Sequence, residues 1–214
     1  FNKRQQLYPV NEYLTGYSQE TPVKKNELQP SFEYIEQLAR GGLIESVQVL
    51  VNSVSTSETA DYDGEYSDFF NNETVSSSSA NLVGLKTDRF YDKKKKTTHI
   101  IVFVKRIDLV NYYVSLIDKN VTTIQQKINE GDQSLAAKDY KNAFKAYYST
   151  HDLFLSIDES QTYLLALGQR NTSKLHTKEV NVLKTTIQGK LSKINQNKDK
   201  KIDDVSYFIS YALG

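Results

Sequence analysis

The 214-residue chain contains no cysteine, no tryptophan and no methionine, and it has only three prolines. Without cysteine there can be no disulfides, thiol nucleophiles or thiolate metal sites. The chain also has no excess of charge of one sign, because 27 Lys and Arg nearly balance 26 Asp and Glu for a net charge of +1. A nucleic-acid-binding surface needs sustained positive charge, so we expect no nucleic-acid partner. No apolar run approaches the roughly 18 residues of a membrane-spanning helix.

The chain does have many tyrosines and phenylalanines. Its 15 Tyr and 9 Phe supply much of the large apolar surface, and a hydrophobic content of 38% is that of a polar globular protein. The length allows one large domain or two small ones. The chain begins at Phe1 rather than Met and stops abruptly at Gly214. From this we expect an upstream segment to have been removed and further chain to follow.

The first half of the chain has the pattern of a small sheet with one long helix. Residues 13–19 predict a first strand, bounded by turn residues. Apolar residues at helical spacing predict an amphipathic helix over residues 31–51. The β-branched residues that follow at 54–59 favour a strand.

A hairpin is predicted over residues 82–91 and 97–104. Residues 100–104 are apolar on both faces, so we expect this strand to be central in the sheet. The four lysines at 93–96 form a solvated tip that also opposes edge-to-edge aggregation. We interpret the serine run at 76–79 as a strand or strand edge, because apolar residues flank it.

Two adjacent glycines, Gly41 and Gly42, lie inside the predicted long helix. Each glycine costs about 1 kcal/mol relative to alanine in a helix interior. We expect the missing Cβ atoms to let the helix backbone approach the sheet closely. A functional hinge or a ligand contact is the alternative.

The second half of the chain is predicted to be helical. Apolar residues every three or four positions over 110–128 form one helix, and Gly131 interrupts it or lies near its end. A helix ending near Lys138 and a second beginning near Asp139 would form an antiparallel hairpin. Small residues allow its helices to approach closely: Ala136, Ala143 and Ala146.

Four further segments complete the helical half. We predict a helix over 161–167 that Asp158 or Ser160 caps and Gly168 ends, then a loop at 171–173. A basic helix over 178–194, a linker at 198–201 and a final amphipathic helix over 202–213 follow. The predicted fold class is therefore α+β: an antiparallel sheet packed against one long helix in residues 1–106, followed by an all-α helical bundle in residues 107–214.

The sequence offers little chemistry. The histidines His99, His151 and His176 lie far apart, none has a ligand-type neighbour two or four residues on, and each is expected at a surface or boundary. The acidic run at 61–68 lacks the Gly and Glu positions of a calcium loop, so we expect a solvated loop. No phosphate loop, serine-nucleophile motif or zinc motif is present. We predict no catalytic residue, cofactor or metal; a buried cluster of Asp, Glu and His would indicate an unrecognised hydrolase.

A resemblance to a known family rests on short motifs in the first half. These are Tyr8-Pro9, then Tyr13-Leu14-Thr15-Gly16, a helix that ends in residues 47–51, and a Val-Ser-Thr-Ser segment. Over about residues 8–105 the chain resembles the Lpp-twenty lipoprotein family, which includes the N-terminal part of flagellar assembly protein T. The resemblance implies a small α+β domain of a Gram-negative envelope protein without an active site. The chain departs from it in carrying Gly41-Gly42 in place of an Ala-rich helix, and in having no lipidated cysteine.

A second resemblance covers residues 131–154, which are similar to a single tetratricopeptide-like helical pair. One such unit is too short for a solenoid, so we expect it to pack into a small bundle. The leading hypothesis is a two-part protein in which the α+β domain docks a partner and the helical part connects to a downstream domain.

The leading hypothesis is a non-enzymatic cell-envelope protein, periplasmic or outer-membrane-associated, that acts as a binding or assembly module. Its expected partners are other envelope proteins, bound through a sheet edge or the hairpin, and a removed N-terminal anchor is a candidate for membrane attachment. The alternative is a glycan or small-ligand binder that uses tyrosines in a groove between the two domains. Its candidate contacts are Tyr112, Tyr113, Tyr147, Tyr148 and Tyr163.

Overall fold

The computed structural model describes residues 3–58 and 82–196, with side chains described over 3–54 and 82–194. Contacts divide the chain into two units. Unit 1 contains the described residues 3–58, 82–113 and 162–169, and unit 2 contains 114–161 and 170–196. In chain order the elements are α1 (Arg4–Leu7), β1 (Tyr13–Glu20), a 3-10 helix (Lys25–Glu27), α2 (Leu28–Glu58), β2 (Lys86–Asp92), β3 (Thr97–Lys105), α3 (Arg106–Ala136), α4 (Tyr140–Tyr148), α5 (His151–Ala166), α6 (Arg170–Ser173) and α7 (Thr177–Gln196).

The α+β class is confirmed by an antiparallel three-stranded sheet with the strand order β1-β3-β2. The predicted hairpin is confirmed as β2 and β3, although β2 is shorter than expected. Strand β3 is central, as predicted, and pairs with β1 on one side and with β2 on the other. Its buried apolar residues are Ile100, Ile101, Val102 and Val104. The lysines at 93–96 form an exposed tip between the two strands.

Helix α2 packs against one face of the sheet along a row of residues spaced four apart. This buried row consists of Ile35, Ala39, Leu43, Val47 and Val51. The close approach to the sheet is made by Gly16 of β1, where a Cβ would lie 1.9 Å from the Ala39 carbonyl oxygen. The expectation that Gly41 and Gly42 make this contact is wrong. Both are exposed, and a Cβ at either would meet nothing within 4 Å.

The predicted strand at 54–59 is also wrong over the residues described, because α2 continues to Glu58. Two serines that precede this segment bond to the helix backbone instead of favouring an extended chain. The Ser46 hydroxyl donates to the Leu43 carbonyl and the Ser53 hydroxyl to the Leu50 carbonyl, each at 2.7 Å. Tertiary packing through Val51 thus outweighs local strand propensity. The acidic run at 61–68 and the serine run at 76–79 lie outside the described residues.

Helix α3 runs through Gly131 without interruption, and its residues contribute to both units. The predicted helical hairpin is confirmed, with α3 ending at Ala136 and Asp139 capping α4 by accepting from the Asn142 N–H at 3.1 Å. Within unit 2, α3 approaches α4 closely at Gly131, where a Cβ would lie 2.3 Å from the Tyr147 ring. Ala143 is buried, whereas Ala136 is exposed.

Two predictions for the later helices are wrong. The helix expected at 161–167 is the end of the longer α5, which begins at His151. Ser160 therefore lies inside a helix and does not cap one, and its hydroxyl donates to the Ser156 carbonyl at 2.7 Å. The loop expected at 171–173 is part of the short helix α6. The basic helix at 178–194 is confirmed as α7, and the segments at 198–201 and 202–213 lie outside the described residues. None of the described helices is both long and apolar enough to cross a membrane.

Candidate binding surface

The face of the sheet that points away from α2, called the outer face below, is rich in aromatic residues. Side chains alternate along each strand, so residues two apart share a face. The α2 side is fixed by Gly16 against Ala39, and by Thr98, whose hydroxyl lies 2.7 Å from that of Ser31. The strand register then places five rings on the outer face: Tyr13, Tyr17, Phe90, His99 and Phe103.

Tyr8 attaches the N-terminal segment, residues 3–10, to this face. Its ring centroid lies 4.6 Å from that of Phe103 and 5.6 Å from that of Tyr13, which itself meets Phe103 at 5.9 Å. Such tilted and edge-on pairs contribute roughly 0.5–1.5 kcal/mol each beyond buried area. The Tyr8 hydroxyl donates to the Asp88 carboxylate. Burial and this hydrogen bond raise the pKa of Tyr8 to about 12, so it remains a donor at neutral pH.

A second cluster lies around His99. The Tyr17 hydroxyl is 2.7 Å from His99 Nδ1 and also 2.7 Å from the side-chain oxygen of Gln19. The Arg4 guanidinium lies over the Tyr17 ring at 4.3 Å, and the Phe90 ring lies 5.9 Å from that of His99. Burial lowers the pKa of His99, so this imidazole is neutral at pH 7.

Part of this apolar surface remains open to solvent. Phe90 is 46% exposed, and Leu7 and Val10 of the N-terminal segment are 65% and 72% exposed. Isolated exposed apolar residues are ordinary, but an aromatic surface with exposed apolar neighbours is typical of a recognition surface. Chemically, this face can bury an apolar or aromatic group of a partner.

The position of Phe90 is fixed from the opposite side of the sheet by Glu36 of α2. Its carboxylate accepts from Arg40 and Arg89 at 2.8 Å each and from the Thr87 hydroxyl at 3.0 Å. Burial raises the pKa of Glu36, but these hydrogen bonds more than offset it and hold the pKa below its usual value. Because two of the donors belong to β2, this contact ties the edge strand that carries Phe90 to the long helix.

Unit 2 contains a charged cluster around His176, at the start of α7. Nδ1 of the imidazole lies 2.7 Å from Glu179, and Nε2 lies 2.8 Å from Asp118 of α3. Glu179 also accepts from Gln125 at 2.7 Å. With both ring nitrogens in these contacts, the imidazole links two helices rather than presenting a lone pair. Within the described part of the chain, no three His, Asp or Glu side chains are placed to share a metal ion.

This cluster predicts a pH-dependent stability. The hydrogen bond to Glu179 raises the pKa of His176, with a further contribution from Asp118 against an opposing effect of burial. A pKa above the unfolded value of about 6.5 means that the stabilisation is fully present below that pH. It is lost as pH rises through the folded pKa. Urea unfolding should therefore show His176→Gln destabilising the protein more at pH 5.5 than at pH 8.5.

The comparison must be made between wild type and variant at each pH, because His99 opposes the effect. Its lowered pKa makes the folded state of unit 1 less stable as the imidazole becomes protonated. His99→Gln serves as the matched control and should show the reverse dependence. An equal loss for His176→Gln at both pH values would contradict the assignment.

The five tyrosines predicted as ligand contacts have different surroundings. In unit 1, Tyr113 and Tyr163 are buried and stack at 4.7 Å, and Tyr112 lies beside them, 37% exposed. In unit 2, Tyr147 is fully buried, whereas Tyr148 is 39% exposed and stacks on Phe144 at 5.6 Å. Only Tyr112 and Tyr148 of this set have substantial surface to offer a ligand.

Sequence reasoning missed the outer face and the His176 cluster. A usable signal existed for the first, because Tyr13 and Tyr17, and likewise His99 and Phe103, are four residues apart in strands and so share a face. For the His176 cluster, the local signal is Glu179, three residues after His176 and therefore on the same side of a helical turn. Asp118 is 58 residues away in sequence and carries no local signal.

Comparison of the chain with family models, curated proteins and solved structures found no match. The class of protein is therefore defined by its own fold: a three-stranded antiparallel sheet with one long helix, combined with a helical unit. The resemblance to the Lpp-twenty family stays a prediction.

Proposed function

We propose that this chain is a non-enzymatic binding or assembly module of the cell envelope, and that unit 1 contacts a protein partner through its outer face. The observation that carries the proposal is the exposed ring of Phe90 beside an aromatic cluster on a sheet surface. Aromatic residues are enriched at the cores of protein interfaces relative to the rest of the protein surface. A buried aromatic anchor supplies much of the binding energy of such contacts.

The hairpin gives this surface a charged rim. Asp92 accepts hydrogen bonds from the backbone N–H groups of Lys94 and Lys95 at 2.9 and 3.1 Å, which fixes the turn. The lysine side chains at 93–96 remain exposed next to the strand that carries Phe90. An apolar centre with a basic rim fits a partner whose apolar patch is bordered by acidic residues. Rim charges of this kind increase the rate of association and its sensitivity to salt.

The envelope setting is supported by the sequence rather than by this surface. The Lpp-twenty resemblance implies a Gram-negative envelope protein, and a chain without cysteine suits an oxidising compartment. Fractionation of cells that express the native gene tests this part of the proposal on its own. A cytoplasmic location of the full-length protein would overturn the envelope assignment and leave the binding assignment standing.

Photo-crosslinking in the native host tests the partner contact. A photoreactive phenylalanine analogue in place of Phe90 should give one discrete crosslinked species, because the ring is 46% exposed on the proposed surface. The same analogue at Val182 of α7, which is 65% exposed in unit 2, is the matched control and should give none. The crosslinked partner is identified by mass spectrometry.

Purified components complete the test. Phe90→Ala should weaken binding of the identified partner about tenfold or more. Because the ring is only 46% exposed, the variant should also lose some stability, so binding is measured well below its Tm. Equal crosslinking from positions 90 and 182, or unchanged affinity of Phe90→Ala, would show that the outer face is not the contact.

A further inference from the structure

A second side of helix α2, away from the buried row that packs on the sheet, carries exposed apolar residues. Three large apolar residues on it are exposed: Tyr34 by 56%, Leu38 by 50% and Val49 by 62%. Gly41 and Gly42 lie between them and are exposed as well. At 100° per residue, these five positions and Glu45 fall within a sector of about 100°. We call this stripe the α2 ridge.

The two glycines of the ridge destabilise α2, and no close contact in the described chain compensates for that cost. Together they cost about 2 kcal/mol relative to alanine in a helix interior. A Cβ at either position would meet no atom within 4 Å. Glycines on a helix surface do allow the backbone of another helix to approach closely, and flanking apolar side chains then bury against it. The ridge therefore has the shape of a helix-docking surface.

We propose that two copies of this chain associate through the α2 ridge as antiparallel helices related by a two-fold axis. A two-fold contact must be self-complementary, so paired positions lie at equal distances from its centre. With the centre between Gly41 and Gly42, Leu38 is equidistant with Glu45, and Tyr34 with Val49. The glycines of the two copies then face each other, and each Tyr34 ring packs beside Val49 of the second copy.

Charge selects the antiparallel direction. A parallel pair in register would place Glu45 opposite Glu45 of the second copy, which repels. The antiparallel pair places Glu45 beside Leu38 of the second copy, and the two Glu45 side chains lie on opposite sides of the centre. The dipoles of the two helices also oppose each other in this arrangement.

The size of the ridge sets the expected affinity. Residues 34–49 extend over about 24 Å of helix at 1.5 Å per residue. A single pair of helices of this length gives a contact at the low end of specific interfaces, so we expect a dissociation constant on the order of 10–100 μM. The dimer should thus appear only at high concentration.

Sedimentation velocity of the full 214-residue chain between about 5 and 500 μM tests the proposal. Leu38→Glu should raise the dissociation constant about tenfold or more, because the new carboxylate faces Glu45 of the second copy. Adding Glu45→Lys should restore most of the affinity, because an opposite charge then faces position 38. Val182→Glu, at a residue 65% exposed in unit 2, is the matched control and should leave the dimer unchanged.

Cysteine crosslinking gives a second readout, free of background because the chain has no cysteine. In an equimolar mixture, Leu38→Cys should form a disulfide with Glu45→Cys faster than either forms one with itself. A monomer at 500 μM would overturn the proposal, and so would a dimer that Leu38→Glu leaves intact. The outer face takes no part in this contact, so Phe90→Ala should leave dimerisation unchanged. The dimer proposal and the proposed partner contact at the outer face can therefore fail independently of each other.

Discussion

Replacing Gly16 with alanine is expected to destabilise unit 1 by about 3 kcal/mol or more, at or beyond the upper end of overpacking substitutions. A Cβ at this position would lie 1.9 Å from the Ala39 carbonyl oxygen and 2.9 Å from the Leu43 Cβ. The first of these atoms belongs to the backbone of α2, so no rotamer change can relieve the clash.

Relief would require β1 to move away from α2, and the sheet opposes that movement. Gly16 pairs with Val102 of the central strand, which is fully buried. Moving β1 would therefore stretch the ladder between β1 and β3 or open the core beneath it. For a domain of about 100 residues, 3 kcal/mol corresponds to a fall of roughly 12–24 °C in Tm. Hydrogen exchange should show the loss of protection concentrated in residues 13–20 and 97–105.

Gly41→Ala and Gly42→Ala are the matched controls, since they make the same chemical change in the helix that Gly16 contacts. Both positions are open, so each variant should gain up to about 1 kcal/mol from helix propensity. Measurements at concentrations where the chain is monomeric keep any self-association out of the comparison. A Gly16→Ala variant whose Tm lies within a degree or two of wild type would contradict the described packing.

These glycines show where reading the sequence succeeds and where it fails. The pattern correctly predicted the long helix from apolar residues at helical spacing, and the hairpin and the central position of residues 100–104 from apolar runs bounded by turn residues. It assigned the close contact to Gly41 and Gly42, whereas Gly16 makes it. The helical period shows which residues share a face of α2. It does not show whether a glycine of the helix or a glycine of the strand lies where the two elements cross.

The predicted C-terminal end of α2 is also wrong, because local composition does not show how far a packed helix continues. Residues 54–58 have strand-type composition, yet they continue a helix already packed through Val47 and Val51. The candidate surfaces were still harder to predict. The outer face depends on the register between strands. The His176 cluster depends on the packing of helices that places Asp118 2.8 Å from His176 Nε2. Neither kind of information is local in sequence.

Gly131→Ala is expected to destabilise unit 2 by about 3 kcal/mol, although the same change usually strengthens a helix. The new Cβ would lie within 2.8 Å of three atoms of the Tyr147 ring, which is fully buried. Moving the ring would break the 2.6 Å hydrogen bond from the Tyr147 hydroxyl to Asp132 and remove the ring from beneath Lys190.

Asp132 makes this displacement costly. Burial raises the pKa of its carboxyl, but Lys190 and the Tyr147 hydroxyl hold the pKa below its usual value. Losing the tyrosine leaves Lys190 as its remaining side-chain partner among the described residues. Guanidinium chloride unfolding, followed by hydrogen exchange of α3, α4 and α7, should place the loss in unit 2.

A double-mutant cycle separates this clash from a general weakening of α3. Tyr147→Leu alone should cost about 3 kcal/mol, because it removes a buried ring and its hydrogen bond. If the ring is what meets the new methyl group, a shorter side chain makes room for it. The double variant Gly131→Ala/Tyr147→Leu should then be about 2 kcal/mol more stable than the sum of the single effects predicts. Gly189→Ala on α7, where a Cβ meets nothing within 4 Å, is the control and should be neutral or slightly stabilising. Strict additivity would place the cost of Gly131→Ala elsewhere than at Tyr147.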